Sequence, residues 1–143
     1  MTPKETPTPS KKVHLKWTGN GMEYLGTGAV GPAVIIDGKS EKGPGPMDSL
    51  LLALAGCMAV YVLVILERSR VPLRKLDVEV EGERAQTHPK RYTRIRLAYH
   101  VEGPQEEHQG KLDRAVTLSK EKFCSVLHSL SPDIEFEFEV NRV

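Results

Sequence analysis

The sequence predicts an α+β fold with antiparallel sheets, one long buried central helix and a second, amphipathic helix. Three observations carry that reading. Leu76–Glu83, Arg91–Val101 and Ile134–Val140 each alternate apolar with charged or polar residues, the period-two mark of half-buried strands. Leu50–Leu66 is an uncharged, apolar run of seventeen residues, and a helix apolar on every side has to be buried somewhere. Gln109–Leu130 carries an apolar stripe at helical spacing.

Taken in order, the chain begins with three prolines among its first nine residues and no apolar run. Residues 1–12 therefore read as a disordered N-terminal tail rather than a secretory signal, and 13–143 as a single domain. Val13, Leu15 and Trp17 alternate with His14 and Lys16 in a short strand. Gly19-Asn20-Gly21 supplies a hairpin turn, and Met22–Leu25 is the return strand. Val34–Ile36 reads as a third strand, closed by Asp37-Gly38. In the loop that follows, Gly43-Pro44-Gly45-Pro46 forbids helix until Pro46, which suits a first helical turn. Asp48 places negative charge near the positive end of the helix dipole. The helix is expected to run to about Ser69, favoured at its end by Arg68 and Arg70 and stopped by Pro72.

The outer faces of the later strands carry opposite charge. Asp77, Glu79 and Glu81 line one strand, Arg94, Arg96 and His100 the next, and Glu135, Glu137 and Glu139 the last. Opposite charges across strands favour pairing, so 91–101 should pair with 76–83 and neighbour 134–140. The second helix shows Leu112, Ala115, Val116, Ser119, Phe123, Val126, Leu127 and Leu130 on one side. Counting about 100° per residue places Cys124 at the edge of that stripe. One small sheet and one further helix can hardly cover an apolar central helix. A homodimer that packs two such helices together would, since obligate interfaces resemble a domain core cut in half.

Composition removes several function classes. Lys+Arg (20) and Asp+Glu (19) nearly cancel, for a net charge of +1, which argues against a strongly basic nucleic-acid binder. A membrane span needs about 20 apolar residues, with about 17 the lower limit, so the run at 50–66 reads as a core helix and no membrane partner is expected. Two cysteines make neither a disulfide framework nor a zinc spacing. His14, His88, His100 and His108 form no ligand spacing, so no metal is expected. Gly43 and Gly45 lack the Gly-Lys-Ser/Thr ending of a phosphate loop, and no cofactor is expected. A soluble chain without a signal is expected to be cytoplasmic, with its thiols reduced.

The chemistry that remains is sulfur chemistry. Cys57 sits among Ala53, Ala55, Gly56 and Ala59, small residues that let a ligand or another backbone approach. Its local sequence leaves two readings open, a small buried hydrophobe or a working thiol. Cys124 leaves the same two open, with His128 one turn further on.

The stretch Gly43-Pro44-Gly45-Pro46-Met47-Asp48-Ser49-Leu50-Leu51-Leu52-Ala53-Leu54-Ala55-Gly56-Cys57 resembles the start of the central helix in the OsmC/Ohr superfamily, the osmotically inducible and organic hydroperoxide resistance proteins. Phe123-Cys124-Ser125-Val126 is similar to that superfamily's second motif, a helix-borne cysteine before a final strand. The element order matches over nearly the whole chain after the tail. The resemblance implies an intertwined homodimer with both long helices central. It also implies Cys57 as peroxidatic thiol, Cys124 as resolving thiol, an organic hydroperoxide as substrate and a dithiol reductant as partner. Peroxidase members pair the reactive cysteine with a Glu just after the motif proline and an Arg in the N-terminal strands. Here the Glu position is Met47, with Asp48 a shifted substitute and candidate catalytic residue. The N-terminal strands contain no Arg, only Lys12 and Lys16, and Lys lacks the planar fork of Arg. The resemblance is thus to an OsmC-like branch without the full peroxidase pair. Two functions follow: a two-cysteine thiol peroxidase, or a non-catalytic dimeric module that binds or senses a small apolar ligand.

Overall fold

The elements run strand, strand, strand, helix, strand, strand, helix, helix, strand in the computed structural model, which describes Thr6 and residues 8–143. The tail expected at 1–12 lies partly outside the described residues; 8–12 are exposed and belong to no helix or strand. Two units make up the chain, residues 1–49 and 50–143.

In the first unit β1 (His14–Trp17), β2 (Glu23–Thr27) and β3 (Val34–Asp37) form an antiparallel sheet in that order. The β1–β2 turn is where the sequence placed it. Gly19 and Gly21 both take positive φ, a conformation open to glycine at no steric cost. After β3, buried Asp37 organises the loop: its carboxylate accepts hydrogen bonds from Lys39 N–H (2.8 Å) and Lys42 N–H (3.1 Å). Those bonds stabilise the charged form and hold its pKa below the ordinary carboxylate value. The loop delivers the chain to α1 (Pro46–Arg68). Asp48 reaches back to Gly45 N–H (3.4 Å), and Ser49 donates to Gly45 O (2.8 Å). The first of these is half of a capping box, satisfying a donor that the helix start leaves orphaned.

In the second unit one stripe of α1 is fully buried: Leu54, Met58, Val62 and Leu66. The spacing of four keeps them on a single face. They share the core with Ile95, Leu97, Tyr99 and Val101 of a central strand and with Leu112, Ala115 and Val116 of a second helix. The other sides of α1 are open in the single chain, with Leu52 61%, Val60 56% and Leu63 44% exposed. By length and composition α1 is also long and apolar enough to cross a membrane.

The sheet of this unit has the order β4 (Lys75–Arg84), β5 (Tyr92–Glu102), β6 (Glu135–Arg142). β5 pairs with both neighbours, as the charge pattern predicts. Glu81 faces Arg96 and Glu83 faces Arg94 across one seam, and Arg96 faces Glu137 across the other. Arg96 bonds Glu137 at 2.7 Å and Arg94 reaches it at 3.0 Å. These pairs are solvent-facing and set register more than they add stability.

One expectation needs correcting. The three strands are not all antiparallel: β4–β5 is antiparallel, β5–β6 parallel. The reason is the connection. Between β5 and β6 the chain makes a long helical excursion, and such a crossover returns it to the end from which β5 began. The predicted second helix is also not continuous. A 3₁₀ turn (Glu106–His108) leads into α2 (Gln109–Leu118), then a π-helical turn (Ser119–Phe123), then α3 (Ser125–Ser129).

Candidate functional site

The π turn decides where the second thiol lies. α2 buries Leu112, Ala115, Val116 and, at its end, Ser119. A continuing α-helix would next turn Phe123 inward. Instead Cys124 N–H donates to Ser119 O (2.8 Å), a bond spanning five residues. The wider turn inserts one residue into the helical phase. Phe123 therefore swings outward and stacks on Tyr61 of α1, ring centroids 5.5 Å apart. Cys124 takes the inward position and is fully buried. The edge placement expected from 100° per residue is thus wrong, because that count assumes an uninterrupted α-helix.

Cys124 has extended backbone and is the N-cap of α3, its sulfur accepting from Leu127 N–H at 3.4 Å. Ser119 fixes this segment to α1: its hydroxyl donates to Met58 O (3.0 Å) and lies 3.6 Å from Met58 Sδ. Met58 is the residue after Cys57, so the clip brings Cys124 to the turn of α1 that carries Cys57. The two side chains interact. Cys57 is half-buried, Cys124 sealed. Burial pushes the Cys124 thiol up to about 11; the Leu127 N–H pulls it back, and interaction with Cys57 pushes it further up.

Tyr99 lies against the same cluster from β5. It is fully buried, and its hydroxyl has no partner in hydrogen-bonding geometry. Burial raises its pKa strongly, Ser119's hydroxyl pulls the other way, and Cys124 acts on it electrostatically. Sequence reading placed Tyr99 and Ser119 on apolar faces and gave them no role. A signal was there: a hydroxyl on a buried face needs a partner.

The remaining predicted residues lie as follows. Asp48 is engaged at the start of α1, where it serves the backbone. Met47 is half-buried, and Lys12 and Lys16 are exposed. His128 bonds through Nε2 to Lys120 O at 3.0 Å. Among the described residues no group of three or more His, Cys, Asp or Glu is placed to hold a metal. Chemically the cluster offers one accessible thiol, one sealed thiol beside it and two buried hydroxyls.

Residues 38–139 match the model of the OsmC family, described as OsmC-like protein. The chain belongs to the OsmC-like family. It is 36% identical over 116 residues to Protein YhfA of Escherichia coli (strain K12), covering 80% of this chain and 85% of that one. Among solved structures it resembles a hypothetical protein from Aquifex aeolicus VF5 (TM-score 0.79, 28% identity, 95% of this chain and 99% of that one). It also resembles the organic hydroperoxide resistance protein OsmC of Legionella pneumophila (TM-score 0.63, 12% identity, 95% and 99% covered). That last likeness is one of fold. The α+β architecture, with two sheets and the helices between them in sequence, is the architecture of this family.

Proposed function

We propose that this OsmC-like protein is a two-cysteine thiol peroxidase that reduces organic hydroperoxides. The observation that carries the reading is the pairing of a half-exposed Cys57 with a sealed Cys124 on the adjoining segment. The Legionella neighbour's name, an organic hydroperoxide resistance protein, supports it. The Cys57 thiolate attacks the terminal oxygen of the hydroperoxide, the O–O bond breaks, and the alcohol leaves with a proton. Cys57 is then a sulfenic acid. The sulfur of Cys124 attacks it, an S–S bond forms, the S–O bond breaks, and the departing hydroxide takes the thiol proton and leaves as water. A dithiol reductant restores both thiols. With Met47 where peroxidase relatives are expected to carry Glu, and no Arg in β1–β3, the Arg/Glu pair of those relatives is missing here. Slow turnover follows.

The working form we infer is a homodimer in the cytoplasm. Its support is the apolar stripe of α1 left open in one chain, Leu52, Val60 and Leu63. An apolar hydroperoxide tail suits such surroundings.

The test is a thiol count. Reduced protein mixed with one equivalent of cumene hydroperoxide should lose two thiols per chain. Cys124→Ser should stop at a dimedone-trappable sulfenic acid on Cys57. Should Cys57 react no faster than in the unfolded chain, the peroxidase reading is lost and the binding of a small apolar ligand takes its place.

A further inference from the structure

We propose that Tyr99 is the positioning residue for the second thiol: its hydroxyl, sealed in the core without a partner beside Ser119 and Cys124, donates a hydrogen bond to the Cys124 sulfur as that thiol becomes a thiolate. The inference rests on the thiol reading of Cys57 and Cys124.

Three observations converge. Tyr99 is fully buried and its hydroxyl lacks a partner, which buried polar groups seldom do unless they have a task. Cys124 is its electrostatic neighbour. Cys124 in turn is buried where a thiolate is costly, and its sulfur accepts from Leu127 N–H at 3.4 Å. The groups that face Cys124 are Cys57 from α1, Tyr99 from β5, and the backbone N–H groups of Leu127 and Val126 from α3, with Ser119 linking the π turn to α1. Of the side chains among them, the Ser119 hydroxyl already donates to Met58 O. Tyr99 holds the uncommitted proton. A phenol O–H rotates to suit its acceptor, and its bond to a charged sulfur is stronger than to a neutral one. Tyr99 thus favours the attacking form of Cys124 and leaves the resting thiol alone.

The step it assists moves one pair of electrons. Thiolate sulfur of Cys124 bonds to the Cys57 sulfur, and the group on Cys57 departs with the electrons of the broken bond. That group is hydroxide after hydroperoxide, which takes up the proton that Cys124 gave up and leaves as water, or an aryl thiolate in the assay below, where that proton passes to the buffer.

The assay omits hydroperoxide. Reduced protein is treated with Ellman's reagent so that half-exposed Cys57 carries thionitrobenzoate. Closure by Cys124 then releases a coloured thiolate that is timed by stopped flow between about pH 7 and 9. Tyr99→Phe should close about tenfold more slowly across that range, the size of one lost bond to a charged group. Labelling of Cys57 itself should keep its rate, and thermal stability should not fall, since an unpartnered hydroxyl leaves no broken bond behind. Replacing tyrosine with 3-fluorotyrosine, a stronger donor of nearly the same shape, should speed closure even if the Phe variant folds poorly. Unchanged closure in both variants overturns the proposal, as does a wild-type protein that never closes. A chain whose Cys57 ignores hydroperoxide loses the peroxidase reading but is still scored here.

Discussion

Cys124 carries a burden that its position imposes. A sulfur sealed from water resists ionising, and its folded pKa of about 11 lies above the unfolded value of about 8.5. A group raised on folding contributes stability that is complete below the unfolded value and lost as pH climbs through the folded one. The reduced protein should therefore lose thermal stability between about pH 8.5 and 11. Tyr99, also raised, adds to the loss above about pH 10. Cys124→Ser should flatten the thiol's part while keeping α3, because serine is a good N-cap and can accept from the Leu127 N–H. Calorimetry across pH on both proteins checks this, and parallel curves would show that Cys124 does not ionise on that flank. At this scale the sequence was half legible. Cys57 was singled out by its small neighbours and, through the family resemblance, by its distance from Pro46. The depth of Cys124 was hidden, because an extra residue in a turn leaves no mark on side-chain chemistry. Tyr99 was hidden for the opposite reason: its ring fits the apolar face so well that its hydroxyl went unnoticed.

The elements were legible where one face is wet. Leu76–Glu83 and Ile134–Val140 alternate because each strand has a charged outer surface and an apolar inner one, and their charges picked β5 as the centre. Direction was not legible, since alternation reads the same in parallel and antiparallel strands. The length of the chain between β5 and β6 held that information. One local device in β4 was also silent. Gly82 lies under the ring of Tyr92, where an added Cβ would stand 2.4 Å from the ring carbon Cε1. Tyr92 is almost wholly buried and Gly82 sits in a paired strand, so neither yields easily. Gly82→Ala should destabilise the protein by about 1–3 kcal/mol, the usual cost of overpacking. Urea unfolding measures it, and a loss under about 0.5 kcal/mol would mean that the ring moves aside freely.

For the molecule as a whole, α1 sets the terms. Its buried stripe accounts for one side, and its open stripe asks for a partner. The first unit likewise leaves apolar residues exposed in the single chain, Leu15, Trp17 and Val34 among them. Light scattering of the purified protein should report a dimer. Val60→Glu, which sets a charge on the open stripe, should shift it toward monomer. A wild-type monomer at tens of micromolar, or one that sediments with membranes, would overturn the pairing. The homodimer is argued from seventeen uncharged residues in a chain too short to cover them, and from the family resemblance.

The π turn between Ser119 and Cys124 has one more consequence. The turn holds one residue more than an α-helix needs between Ser119 and the next inward position. Removing any one of Lys120, Glu121 or Lys122 would let an α-helix run through with the cysteine still facing inward and Phe123 still outward. The three are exposed or half-buried, so a deletion among them should leave the sulfur sealed. Straightening the turn at full length would instead bring Phe123 inward and rotate the sulfur by about 100°. The depth of Cys124 is thus set by how the chain is wound as well as by its letters, and two relatives whose cysteines fall one place apart in an alignment can carry the sulfur at the same depth.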